Sequence, residues 1–282
     1  MSNFPKLALF DVDGTIAEKS KIPQEIIDGL AHLQQNGCIT SISTGRGYIR
    51  IKDMLGDDFD KIISPDALII LEHGTKIVNR QGEVVFGEYF SETEIDHVID
   101  FIRANIEIFR LVWFNPDDVS KKVQFWCIDE REVQSEAEKR RAYADVFVST
   151  IGELKERLLQ HKLTNVSVKL KDYVKVENLK LAFTRTETNV IFQDGNMEFV
   201  RNNTNKGLSV LYVAKKLGVN LDDLLIAGNA INDVEMLDIG AGKSILVSTG
   251  DNRSNILAYL SEPDSIIKVN SPKDLGNYLS DI

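Results

Sequence analysis

Short, unbroken apolar runs alternate with amphipathic stretches at both ends of the chain. KLALF (6–10), CITSIS (38–43) and ALIILEHG (67–74) read as strands, the first buried on both faces like a strand of a parallel sheet and the last another apolar strand. Between the first two lies IPQEIIDGLAHLQQNG (22–37). Pro23 suits a first helical turn, Ile26, Ile27, Leu30 and Leu33 share one helical face, and Gly37 suits the C-terminal cap. This strand–helix–strand order predicts a right-handed parallel crossover. TKIVNRQGEVVF (75–86) reads as a hairpin turning at Gln81-Gly82. The alternation resumes near residue 205. Helices are predicted over 205–217, 231–240, 252–260 and 273–280, with strands LLIAG (224–228), SILVS (244–248) and SIIKV (265–269) between them.

The texture differs from about residue 88. SETEIDHVIDFIRAN (91–105) opens with a capping box, Ser91 with Glu94, and continues as an amphipathic helix. Strands FRLVWF (109–114) and KVQFWCI (122–128) follow. Two helix–strand pairs come next, 132–144 with 145–149 and 151–161 with 165–170. A helix near 174–184 and a hairpin over 189–200, with an Asp-Gly turn signal, close the segment. The two textures predict a doubly wound α/β core built from residues 1–87 and 202–282, with an α+β domain over 88–201 inserted into it.

Composition narrows the class. The chain has 282 residues, 43% apolar and 27% charged, as ordinary globular proteins do. Its formal charge of −10 argues against a nucleic-acid or anionic-membrane binder, though local cations in one cleft still suit a small anion. No run approaches the ~20 apolar residues of a membrane span, and MSNFPKLALF lacks the basic, then apolar, layout of a signal peptide. Cys38 and Cys127 lie far apart in apolar runs, as buried thiols of a reducing compartment do. A cytoplasmic protein is expected; the sequence gives no oligomeric state.

In an open parallel sheet, ligands bind beyond the carboxyl ends of the strands. Asp11 and Asp13 follow the first strand, Thr44, Gly45 and Arg46 the second, and Gly228 to Asp233 the strand at 224–228; Lys206 opens the helix after the inserted segment. Three polar motifs and a lysine therefore converge on one rim. The histidines, 32, 73, 97 and 161, show no ligand spacing; His73, in LEHGT (71–75), lies nearest the rim. Trp113 and Trp126 fall in strands of the inserted segment, where packing is the ordinary role.

DVDGT (11–15), STGR (43–46), NKG (205–207) and GNAIND (228–233) resemble the four ordered motifs of the haloacid dehalogenase-like (HAD) phosphohydrolases, over almost the whole chain. LEHGT is similar to a stretch common in their Cof-type branch. Spacing agrees with that branch. Only 28 residues separate Thr15 from Thr44, whereas 161 lie between Thr44 and Lys206, which leaves room for an α/β cap. The resemblance implies a Mg²⁺-dependent phosphatase acting on a small phosphorylated metabolite such as a sugar phosphate. Asp11 is then the nucleophile, forming an aspartyl-phosphate, and Asp13 the general acid and base. Thr44 and Lys206 complete the catalytic set. Gly14, Thr15, Gly45, Arg46 and Asn232 are expected to bind substrate, partly through free amides after the strand. Asp11, Asp13, Asn229 and Asp233 are expected to hold the metal.

One position departs from the family pattern. The fourth motif usually begins Gly-Asp; here Asn229 stands in place of that acid, removing one negative charge. Two alternatives stay open: a phosphate-ester-binding protein impaired in turnover by Asn229, and a phosphomutase like the phosphomannomutases, which share DVDGT but differ in the second motif.

Overall fold

The computed structural model describes residues 4–118, 121–171, 179, 188–193, 195–202 and 204–282. Strands in chain order are β1 (Leu7–Phe10), β2 (Ile39–Ile42), β3 (Leu68–Leu71), β4 (Lys76–Asn79), β5 (Val84–Gly87), β6 (Phe109–Phe114), β7 (Val123–Cys127), β8 (Ala144–Phe147), β9 (Asn165–Leu170), β10 (Thr188–Gln193), β11 (Asn196–Arg201), β12 (Leu224–Gly228), β13 (Lys243–Val247) and β14 (Ile267–Val269). The helix expected near 174–184 lies outside the described residues, apart from Leu179. Among the described residues, no helix is long and apolar enough to cross a membrane. Contacts divide the chain into two units: residues 1–46, 54–86 and 205–282, and residues 47–53 and 87–204.

The first unit is built on a parallel sheet in the order β14-β13-β12-β1-β2. Every residue of β1 is buried, which explains its unbroken apolar run. Leu7 and Leu9 pack with Ile226, Leu246, Val210 and Met236 on one side of the sheet. The helices Gln24–Gln35 and Pro272–Asp281 pack against each other. Their approach is close enough that a Cβ on Gly29 would stand 2.6 Å from the Gly276 carbonyl oxygen. The sheet is the doubly wound core expected from the sequence. Its strand order reverses at β1, and a crevice at such a switch point is where ligands bind.

Three local expectations need correction. Strand β3 forms an antiparallel sheet with β4 and β5, and meets the parallel sheet just past β2 through a bridge between Ile70 and Ser43. The chain reverses after it through three left-handed residues, Glu72 (φ 52°), His73 (φ 59°) and Gly74 (φ 96°). The helix expected over 231–240 is a 3₁₀ turn, Ile231–Asp233, followed by a helix ending at Leu237; Gly240 is left-handed (φ 75°). Residues 48–62, given no element from the sequence, are helical over Tyr48–Leu55 and Phe59–Ile62.

The second unit carries a six-stranded sheet in the order β10-β11-β9-β6-β7-β8, antiparallel except for β7 with β8. The helix Val133–Arg140 makes that parallel crossover. Side-chain alternation sorts the two faces. Val112, Phe114, Trp126, Val166, Val168 and Phe199 join the helices Glu92–Ala104 and Ile151–Leu159 in the core. Trp113, Val123 and Phe125 belong to a separate cluster with Ala144. Both helices open with complete capping boxes, Ser91 with Glu94 and Thr150 with Glu153.

Candidate active site

The site lies at the carboxyl ends of β1, β2 and β12. Backbone pairing fixes the strand ends: the Asp11 amide donates to the Ala227 carbonyl (2.9 Å) and the Ser43 amide to that of Phe10 (2.8 Å). Asp11 and Asp233 are buried, and both reach the buried ammonium of Lys206. Lys206 Nζ lies 2.6 Å from Asp11 Oδ1 and 2.6 Å from Asp233 Oδ1. Lys206 opens the helix Lys206–Leu217, capped by the Asn205 side chain, which accepts from the Leu208 amide (2.8 Å). A Cβ on Gly207 would stand 2.3 Å from the Glu235 carbonyl oxygen, so glycine at this position allows close approach.

Electrostatics differ sharply between these partners. Burial pushes the Asp11 carboxyl up to about 6, the nearby Asp233 charge pushes the same way, and Lys206 only partly offsets both. Burial alone would lower the Lys206 ammonium, but Asp11 and Asp233 hold it above its ordinary value. Lys206 is therefore a fixed positive charge.

The fourth motif folds on itself. Asp233 Oδ2 accepts from the amides of Asn229 (2.9 Å) and Ala230 (3.0 Å). The Thr15 hydroxyl lies 3.1 Å from Asp11 Oδ2 and 3.2 Å from Asn229 Oδ1, bringing those two oxygens to one point. Gly14 is left-handed (φ 88°), and a Cβ there would stand 2.1 Å from Asn229 Nδ2. The free amides expected after β1 are spent where Gly14 and Thr15 are concerned. They donate to the carbonyls of Ala17 (2.8 Å) and Val12 (3.2 Å), because Asp13 and Ala17 form a β-bridge. Thr15 contributes its hydroxyl to the site instead.

Asp13 and Arg46 form an arrangement the sequence did not suggest. Arg46 grips both Asp13 oxygens, Nε to Oδ2 at 2.8 Å and a terminal nitrogen to Oδ1 at 2.7 Å. The Asp13 side chain keeps 43% exposure, so it can meet a ligand from solvent. Thr44 is buried and its hydroxyl accepts from the Arg46 amide (3.2 Å), leaving the O–H hydrogen to donate. His73 is buried over Gly45: a Cβ on Gly45 would stand 2.4 Å from the imidazole. Its Nδ1 lies 3.5 Å from Asn232 Nδ2. His73 thus touches both the second and the fourth motif, and its place in LEHGT next to the rim was the sequence signal for that.

The donor set suits Mg²⁺. Asp11, Asp233, Asn229 Oδ1 and the Asp13 carbonyl are all hard oxygens, and this ion takes one or two carboxylates with neutral oxygens and water. Among the described residues there is no cluster of three or more His, Cys, Asp or Glu suited to a metal.

With this geometry in place, comparison with known proteins is informative. A model of the haloacid dehalogenase-like hydrolases matches residues 8–260, and the chain belongs to that family. It is a hydrolase of that family, and relatives named as phosphatases match it over most of its length. It is 25% identical to an HMP-PP phosphatase of Escherichia coli O157:H7 over 244 residues, 84% of this chain and 82% of that protein. A phosphatase of the same superfamily from Bacteroides thetaiotaomicron superposes with a TM-score of 0.73 at 17% identity, covering 98% of this chain and 94% of that one. A sugar phosphatase of HAD subclass IIB gives a TM-score of 0.74 at 15% identity, with 98% of each chain covered. At those identities the structural likeness is one of fold.

Proposed function

We propose that the chain hydrolyses a small phosphomonoester, a sugar phosphate or similar metabolite, in the cytoplasm, through an aspartyl-phosphate on Asp11. The observation that carries this reading is the buried Asp11–Lys206–Asp233 bridge at the sheet's switch point. A lysine held charged beside a carboxylate orients that carboxylate and offsets phosphate charge. Names among the relatives, HMP-PP phosphatase and sugar phosphatase, support a small phosphorylated substrate.

In the first step an Asp11 oxygen attacks phosphorus, the ester P–O bond breaks, and Asp13 gives its proton to the leaving alkoxide. In the second step water attacks the phosphorus of the aspartyl-phosphate, Asp13 takes the water's proton, and the P–O bond to Asp11 breaks. Mg²⁺, held by Asp11, Asp233, Asn229 and the Asp13 carbonyl, would supply charge that reduces repulsion between the Asp11 carboxylate and the ester dianion. Arg46 holds the Asp13 side chain in place while the site waits, and an arriving phosphoryl group competes for the guanidinium. Thr44 donates to a phosphoryl oxygen, and Gly45 and Asn232 shape the same wall. Residues 88–201 serve as the cap that selects the leaving group.

Free phosphate is measured with a panel of sugar phosphates and p-nitrophenyl phosphate across a Mg²⁺ titration. Release from at least one ester, lost in Asp11→Asn, is expected. Release retained by Asp11→Asn would remove the nucleophile from the mechanism. Isomerised sugar phosphate without release would indicate a mutase. Binding without release, with turnover restored by Asn229→Asp, would show a binding protein impaired at its metal site.

A further inference from the structure

The charges at the carboxyl ends of β1 and β12 do not balance. Two buried carboxylates, Asp11 and Asp233, share one buried ammonium, Lys206. At the rim the third carboxylate, Asp13, is matched by the Arg46 guanidinium. Three negative and two positive side chains leave the site one unit negative. An acid at position 229 would make it two units negative, but the residue there is the neutral Asn229.

What negative charge there is already has donors around it. Asp233 Oδ1 accepts from Lys206, and its Oδ2 accepts from the amides of Asn229 (2.9 Å) and Ala230 (3.0 Å). Asp11 Oδ1 faces Lys206 as well. Asp11 Oδ2 is therefore the carboxylate oxygen that meets Asn229 Oδ1 about the Thr15 hydroxyl, at 3.1 Å and 3.2 Å from it. Asn229 turns its oxygen to that point and packs its NH₂ against Gly14, where a Cβ would stand 2.1 Å from Nδ2. The oxygen it offers a cation is the end of a neutral dipole.

A Mg²⁺ ion entering alone would turn the site from one unit negative to one unit positive. An unbalanced charge out of water is costly, and Mg²⁺ gives up its own water reluctantly. A phosphate dianion entering alone would leave the site three units negative. Entering together, the two leave its charge as it was. We propose that the site keeps no resident Mg²⁺ and takes the ion and the phosphoryl group as a pair, each tightening the other, because Asn229 withholds the charge that would hold the ion alone. The inference rests on the phosphatase reading for the identity of the anion. In an otherwise identical site with an acid at 229, the ion alone would bring the charge to neutrality, and the metal would be resident before the ester arrived.

The test is calorimetry on the full chain at pH 8, with Mg²⁺ and inorganic phosphate as probes and no ester present. Mg²⁺ should bind about tenfold or more tightly with saturating phosphate than without, and phosphate should gain the same factor from saturating Mg²⁺. Asn229→Asp should bind Mg²⁺ alone about tenfold more tightly than the parent, and phosphate alone more weakly. A purely structural role for residue 229 would not shift the two affinities in opposite directions. Equal Mg²⁺ affinity with and without phosphate would overturn the pairing, and that comparison needs only the parent protein. Mg²⁺ affinity unchanged in a folded Asn229→Asp would overturn the part given to Asn229. Failure of the phosphatase reading is a separate result, no release from any ester of the panel, and is read in a different assay.

Discussion

The two units each bury a charged centre, and the centres are inverted copies of one another. In the first, one ammonium, Lys206, is held between two carboxylates, Asp11 and Asp233, all nearly sealed from solvent. In the second, one carboxylate, Glu136, is held by three cations, two of which reach solvent more freely: Lys139 is 58% exposed and Arg110 41%. Sealing the first centre leaves its charges dependent on each other, so burial and Asp233 push Asp11 toward protonation and Lys206 is the charge beside it that opposes them. Opening the cations of the second to solvent lets water take part of the load.

The sharpest way to break the comparison is Lys206→Met. It leaves Asp11 and Asp233 buried without their shared counterion, and removing one partner of a buried pair costs about 3–5 kcal/mol. Chemical denaturation should show that loss together with the collapse of phosphate release. Loss of turnover at unchanged stability would mean that the two carboxylates are not mutually strained.

Asp11→Asn should act in the opposite direction on stability. The folded Asp11 carboxyl sits near 6, above its ordinary value of 3.8. A group raised on folding favours the folded state fully below the unfolded value and loses that contribution as pH rises through the folded one. The metal-free protein is therefore penalised at pH 8, by on the order of 2–3 kcal/mol. Asp11→Asn removes the penalty, so it should raise the melting temperature at pH 8 and change it little at pH 4. An equal shift at both pH values would assign the gain to packing instead.

How much of this was legible in the sequence follows from the range of each interaction. The strands at 7–10 and 224–228, the crossover helix and the capping boxes are local patterns, and the chain spells them out. The convergence of Asp11, Lys206 and Asp233 was readable because sheet topology brings strand ends together regardless of sequence distance. The Arg46–Asp13 pair was not, since a long side chain can reach several partners and only packing selects one. Nor was the placement of β3, because three consecutive left-handed residues, two of them not glycine, reverse the chain against ordinary propensity. The Glu136 cluster escaped for a different reason: Arg110 lies on β6 and Lys139 and Arg140 on the helix Val133–Arg140, and only packing brings the strand and the helix together around one carboxylate.

Glu136→Gln should destabilise the second unit by roughly 1–2 kcal/mol, less than Lys206→Met, because its exposed partners regain water once released. Thermal denaturation checks this, and unchanged stability would show that the attraction of Glu136 for its cations only balances the cost of burying it.

Lys139→Gln is the smallest expected effect and tests the idea that openness separates the centres. Lys139 lies three residues from Glu136 on one helix, with a 3.0 Å contact and most of its side chain in solvent. A pair of that kind is worth about 0–1 kcal/mol, and salt should screen it further. The variant should therefore melt within a degree or two of the parent, and within less at high salt. Lys206 and Lys139 both touch carboxylates at hydrogen-bonding distance, so contact distance alone would give them similar weights. A loss from Lys139→Gln approaching that of Lys206→Met would show that an exposed cation on a buried carboxylate counts as much as a sealed one, and the contrast between the two centres would lose its physical basis.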